Sequence, residues 1–173
     1  MGIFRDRRLF EATTDGRFAV RLAPESRAWV VELADQLDEL LDLELDDTRR
    51  LFPTAYPNDP QLDAAYQILG RSELIDERRA AIDTMRETVT APSLSETELV
   101  SWLTIINDLR LVLGTRLDVS EEDDEAPADD DERAAFMVYH QLGSLLGEIV
   151  DTLAGVLPPE GRPDAPEPPV DLA

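Results

Sequence analysis

The chain has 173 residues, 43% hydrophobic and 31% charged, and its 38 acidic against 16 basic side chains leave a net charge of −22. That length suits one ordinary domain with one core, and a field of that sign opposes non-specific contact with nucleic-acid phosphate. With no cysteine, disulfides, thiolate nucleophiles and cysteine zinc sites are excluded; no apolar run reaches the ~18 residues of a membrane span, so no membrane contact and a cytoplasmic location are expected.

All 16 basic residues are arginine, and six fall within residues 1–28 against four acids, so that segment carries +2 and the remaining 145 residues −24. Residues 8–22 place two short apolar-alternating runs around Thr13-Thr14-Asp15-Gly16, which predicts a β-hairpin. A three-residue loop with Gly16 left-handed pairs Phe10 with Val20 and Ala12 with Phe18, gathering the apolar side chains on one face; a two-residue loop would set Arg21 beside Phe10. Arg7, Arg17 and Arg21 of this basic end are candidate partner contacts. The competing reading is that these arginines neutralise carboxylates within the fold.

Pro24 suits a first helical turn, and Trp29 or Val30, Leu33, Leu37, Leu40 and Leu41 recur at helical spacing. Glu32, Asp35, Asp38, Glu39 and Asp42 lie opposite as a solvated acidic face. Residues 51–60 hold Pro53, Pro57 and Pro60 with Phe52 and Tyr56 between them, a connector ordered by aromatic packing. Asp59 caps and Pro60 opens a short helix to about Gly70. Ser72 caps the next, over 73–89, in which Asp76, Arg79, Asp83 and Arg86 stand at pairing distance along one helix.

After Pro92, Ser95 and Glu98 form a capping box for the most apolar helix, about 95–117, whose Trp102, Leu103, Ile105, Ile106, Leu109, Val112 and Leu113 cover more than one face. This helix is expected at the centre. From Asp118 to Glu132, ten of fifteen residues are acidic, the composition of a self-repelling disordered loop. The last helix, 132–157, carries Phe136, Tyr139, Gly143, Leu146, Val150, Leu153 and Leu157 in three-four alternation, a stripe for the core or for a partner. Residues 158–173 form a Pro-rich tail expected to be disordered. The predicted architecture is therefore mainly α: about five helices packed around the helix at about 95–117, with an N-terminal β-hairpin at about 8–22, in one domain over 1–157.

Reactive constellations are sparse. His140, the single histidine, has no local motif to orient it as a base or ligand and reads as a packed side chain. Asp123-Asp124-Glu125 lacks the alternating ligands and closing glutamate of a calcium loop, so neither metal nor other cofactor is expected. Gly143, Gly147 and Gly114 read as points of close helix–helix approach.

Residues 51–57, Leu-Phe-Pro-Thr-Ala-Tyr-Pro, and the run from Trp102 to Leu117 resemble an uncharacterised actinobacterial family known only as a domain of unknown function, over about 4–157. The resemblance implies a cytoplasmic bacterial protein, often encoded near the adaptor that feeds the Clp protease; some members carry a provisional label as transcriptional regulators. It transfers no catalytic residue. Asn107, Asp108, Arg110 and Arg116 are the polar members of its signature helix, read as a buried hydrogen-bond network or a small exposed site, the first being favoured because buried charges must satisfy each other.

The expected function is a non-enzymatic interaction or regulatory protein with a protein partner. The alternatives are a transcription-associated protein using the basic hairpin, and an enzyme using carboxylate and arginine chemistry at Asp108 and Arg110.

Overall fold

The computed structural model describes residues 8–43, 45–119 and 129–156, apart from the side chain of Leu69. Arg7, the 120–128 part of the acidic loop, Leu157 and the tail at 158–173 lie outside the described residues.

The hairpin forms in the register its apolar residues demand. Strand β1 (Phe10–Ala12) runs antiparallel to β2 (Phe18–Val20), with Phe10 opposite Val20 and Ala12 opposite Phe18. The Thr13 N–H donates to the Arg17 carbonyl at 2.8 Å, and Gly16 takes φ 77°, a conformation that only glycine adopts without strain. A third strand, β3 (Ser93–Leu94), pairs with β2 on its other side, giving the order β1-β2-β3. Two residues carry no readable alternation, so β3 leaves no mark on the sequence. Phe10, Phe18, Val20 and Leu94 are buried, and the Phe10 ring stands edge-on to Trp102 at 6.5 Å.

Among the described residues, four α-helices and a 3-10 turn at Asp46–Thr48 accompany the sheet: α1 (Pro24–Leu41), α2 (Pro60–Thr88), α3 (Glu96–Arg116) and α4 (Asp130–Ala154). Helix α3 is the axis, packing against α1, α2, α4, β3 and the 3-10 turn. Leu99, Trp102, Ile105, Ile106, Leu109 and Val112 bury more than one of its faces, and its Ser95–Glu98 capping box is formed. Among the described residues, no helix is long and apolar enough to cross a membrane.

Three expectations need correction. The break between Gly70 and Ser72 does not occur, because α2 runs unbroken for 29 residues. An interior glycine costs only about 1 kcal/mol, and the packing of residues 51–59 along this helix outweighs it. Second, Arg79 does not pair along its own helix: it bonds Asp38 of α1 and Asp42 at its C-terminal cap, while Arg86 bonds Asp35 and Asp38 as well as Asp83. Much of the supposedly free acidic face of α1 is thus neutralised from α2, a tertiary pairing that sequence spacing cannot express.

Third, α4 is rotated from the expected stripe. Phe136 of that stripe is buried as expected, but the rest of the buried face is Leu142, Leu145, Ile149 and Thr152, while Val150 is 47% exposed. Strand β1 sets that rotation: the Phe10 carbonyl accepts from Thr152 Oγ1 at 3.2 Å, and Glu148 accepts the Leu9 N–H at 3.3 Å. The helix also begins inside the acidic run, where the Asp129 carboxylate caps the N–H groups of Asp131 and Glu132. Acids are favourable at that helix end.

Candidate functional site

Residues 51–59 fold back antiparallel along the first half of α2. The Leu51 carbonyl accepts from Arg78 Nη2 at 3.0 Å and the Pro53 carbonyl from Gln67 Nε2 at 3.1 Å. The Ala55 and Tyr56 N–H groups donate to Asp63 Oδ1 at 2.8 and 3.1 Å, and Asp59 caps the Leu62 N–H. Buried Phe52 lies beneath the Arg71 guanidinium, 3.8 Å from the ring centroid, with Arg78 at 5.3 Å. Two prolines and alternating aromatics give this segment little freedom to lose, so side chains of α2 can hold it in place of a regular ladder.

Arg78 ties this strap to the signature helix. Its Nε sits 2.9 Å from Asp108 Oδ2, with the two side chains 15% and 5% exposed. The N–H does not point at the carboxylate, so neither atom completes a hydrogen bond and the attraction is that of charge. Burial pushes the Asp108 carboxyl above its ordinary range against the pull of Arg78. The two stretches that carry the family resemblance, 51–57 and 102–117, thus meet through a residue in neither.

The four polar residues of α3 do not converge. Asp108 turns to α2, whereas half-buried Arg110 turns to α4, donating to the Tyr139 hydroxyl at 3.1 Å and lying over its ring. Asn107 is half-buried and Arg116 is exposed at the helix end. Gly143 and Gly114 receive side chains from the facing helix: a Cβ at Gly143 would come within 3.3 Å of Arg110 Nε, and one at Gly114 within 3.2 Å of the Tyr139 ring. Gly147 meets nothing within 4 Å, contrary to the expected close approach. His140 packs its ring edge-on against Phe136 at 4.3 Å and Tyr139 at 5.5 Å while remaining exposed to solvent.

The hairpin arginines are half-exposed and engaged within the fold. Arg17 donates to the Ser93 hydroxyl and carbonyl at 3.0 and 2.9 Å and pairs with Glu98 at 3.3 Å, while Arg21 pairs with Glu11. The N–H of Ser95 and the charge of Arg17 hold the Glu98 carboxyl below its ordinary range.

The exposed apolar surface lies elsewhere. Among the described residues, six of the ten large apolar side chains exposed to solvent fall between 43 and 68: Leu43, Leu45, Tyr56, Leu62, Tyr66 and Ile68, the last 78% exposed. A groove of about 750 Å³ runs beside them between the 42–52 segment and α2, with Leu45, Phe52, Ile68 and Ile75 in its walls and Asp42, Asp46, Arg49, Asp76 and Arg79 along its charged side. From Gln61 to Ser72 the only charges are Asp63 and Arg71, and both are turned to the strap. The outward face is therefore uncharged. Sequence reading passed over Leu62, Tyr66 and Ile68, although an almost charge-free dozen residues in a chain that is 31% charged was a visible signal.

A family model described as "Domain of unknown function (DUF2017)" matches residues 5–153. The chain belongs to this family. Within the DUF2017 match lie both signature stretches, the strap and all four helices up to residue 153. Curated relatives named "Oxidative stress regulator AosR" in Mycobacterium tuberculosis and Mycobacterium bovis are 33% identical over 119 residues, 66% of this chain and 52% of theirs. A "Putative oxidative stress regulator AosR" of Mycobacterium leprae is 33% identical over 110 residues, 61% of this chain and 51% of its own. The chain thus spans about half the length of these relatives. No solved structure matches it.

Proposed function

We propose that this chain is a regulatory protein that works by binding another protein, and that the uncharged outer face of α2 over Gln61–Ser72, with the groove beside it, is the docking surface. The observation that carries this is the exposure of Leu62, Tyr66 and Ile68 on the first half of α2, with Tyr56 of the strap edge-on to Tyr66, in an otherwise densely charged molecule. Contiguous exposed apolar surface of this kind marks an interaction site. The regulator names of the mycobacterial relatives support the class of role. No cysteine lies in these 173 residues, so an oxidant signal of the kind those names describe would not act on them through a thiol.

Arg17 and Arg21 support the hairpin reading less well, because their guanidinium groups are occupied by Glu98 and Glu11. The test is partner capture at native expression with the intact chain and with Ile68→Asp, whose fold is checked by circular dichroism. Loss of a reproducible partner in the variant is the expected result. Equal capture by both proteins would remove this face from the account.

A further inference from the structure

We propose that the docking face is first occupied by a second copy of this chain, with α2 lying antiparallel to α2 about a two-fold axis near Ala65; the inference rests on the reading of that face as a docking surface. Charge carries the choice of occupant. Each copy has a net charge of −22, so association through most of its surface sets like charges against each other. Along Gln61–Ser72 that opposition is absent, since Asp63 faces Ala55 and Tyr56, and Arg71 faces Phe52. A basic partner finds no free carboxylate along the strip itself, and in the groove beside it Asp42 and Asp46 are already paired with Arg79 and Arg49. A second copy offers the same uncharged, apolar strip.

The shape is suited to self-pairing. Leu62 and Tyr66 lie to one side of the strip and Ile68 to the other, with the small Ala65 between them on the solvent side, as the 100° step of the helix dictates. Small residues on the axis let two helices approach to the usual 8–10 Å. An antiparallel two-fold then sets the Leu62 and Tyr66 side of one copy against the same side of the other, with Ile68 facing Ile68 along the opposite edge, an isologous contact. Two segments about 20 Å long bury on the order of 800 Å² in sum, below the ~1,200 Å² of standard interfaces, so the dimer is expected in the micromolar range. A foreign protein using this face must displace the second copy, which makes the dimer the resting form of the regulator.

The test is sedimentation velocity of the full chain across a concentration series, at about 50 mM and about 500 mM NaCl. Dimer formation that strengthens with salt is expected, because salt screens the repulsion between copies. Ile68→Asp should weaken it at least about 100-fold, the substitution being counted twice across a two-fold interface, while Val150→Asp on α4 should leave it unchanged. Because the chain has no cysteine, Ala65→Cys should form a disulfide-linked dimer on mild oxidation, and Glu39→Cys should not. A chain that stays monomeric with no Ala65→Cys crosslink overturns the proposal. So does a dimer that survives Ile68→Asp or weakens with salt. If the chain is monomeric yet Ile68→Asp still abolishes capture of another protein, the self-pairing falls and the docking face stands; if the substitution changes neither property, both fall.

Discussion

Replacing Arg78 by Leu tests how the strap, α2 and the signature helix are held together. Leucine keeps most of the apolar stem and removes the guanidinium. The Leu51 carbonyl then loses its donor, and the Asp108 carboxylate, only 4% exposed, loses the charge 2.9 Å away. Breaking a buried pair from one side costs about 3–5 kcal/mol, a large part of the ~5–15 kcal/mol that holds a domain folded. Asp108→Asn should cost under about 2 kcal/mol, because burial already favours the uncharged form there. The double variant should lose less than the sum of the two.

The pH dependence has a definite sign. Burial holds the folded Asp108 carboxyl above its ordinary 3.8, and removal of Arg78 raises it further. The extra penalty is therefore complete above the folded pKa and fades as pH falls toward the unfolded value, where the carboxyl is neutral in both states. Urea unfolding followed by the fluorescence of Trp102 and Trp29, at pH 7 and at about pH 4.5, reads this directly. A loss under about 1 kcal/mol at pH 7, or a gap from the parent protein that does not narrow with acid, would refute the reasoning.

Other substitutions test separate parts of the fold. Gly147→Ala should stabilise α4 by roughly 0.5–1 kcal/mol, since nothing lies within 4 Å of the new methyl, whereas Gly114→Ala should gain nothing or lose because Tyr139 and an Arg50 nitrogen crowd its Cβ; thermal melts of the pair compare them. Thr88→Val removes the acceptor of the fully buried Trp102 indole N–H at 2.9 Å and should cost about 1–3 kcal/mol in urea unfolding. Asp118, at φ 51° beyond the end of α3, should yield about 1 kcal/mol of stability on replacement by Gly, seen as a raised Tm.

Local chemistry was readable where one interaction decides the outcome. The hairpin register followed from which residues must share a face, and the Ser95–Glu98 box and the Asp59–Pro60 start followed from donors that every helix end must satisfy. The family resemblance rested on 51–57 and 102–117, and both stretches lie in the matched region. What was lost depended on partners far away in sequence. Gly70 and Ser72 look like a stop and a start, yet Gln67, Arg71 and Arg78 hold the strap along the same helix and keep it continuous. Two apolar stripes compete on α4, and the bonds from Leu9 and Phe10 select the one containing Leu142, Leu145 and Ile149. The exposed apolar face leaves little mark on the sequence because Leu62, Tyr66 and Ile68 look like core residues until the inward positions 63, 67 and 71 are seen to face the strap.

The most direct measurement of the proposed role is site-specific photo-crosslinking in the native host cell from positions 62, 66 and 68, compared with position 39 on the acidic side of α1. The account predicts discrete adducts from the three α2 positions and none from position 39. Adducts from position 39 alone would contradict it.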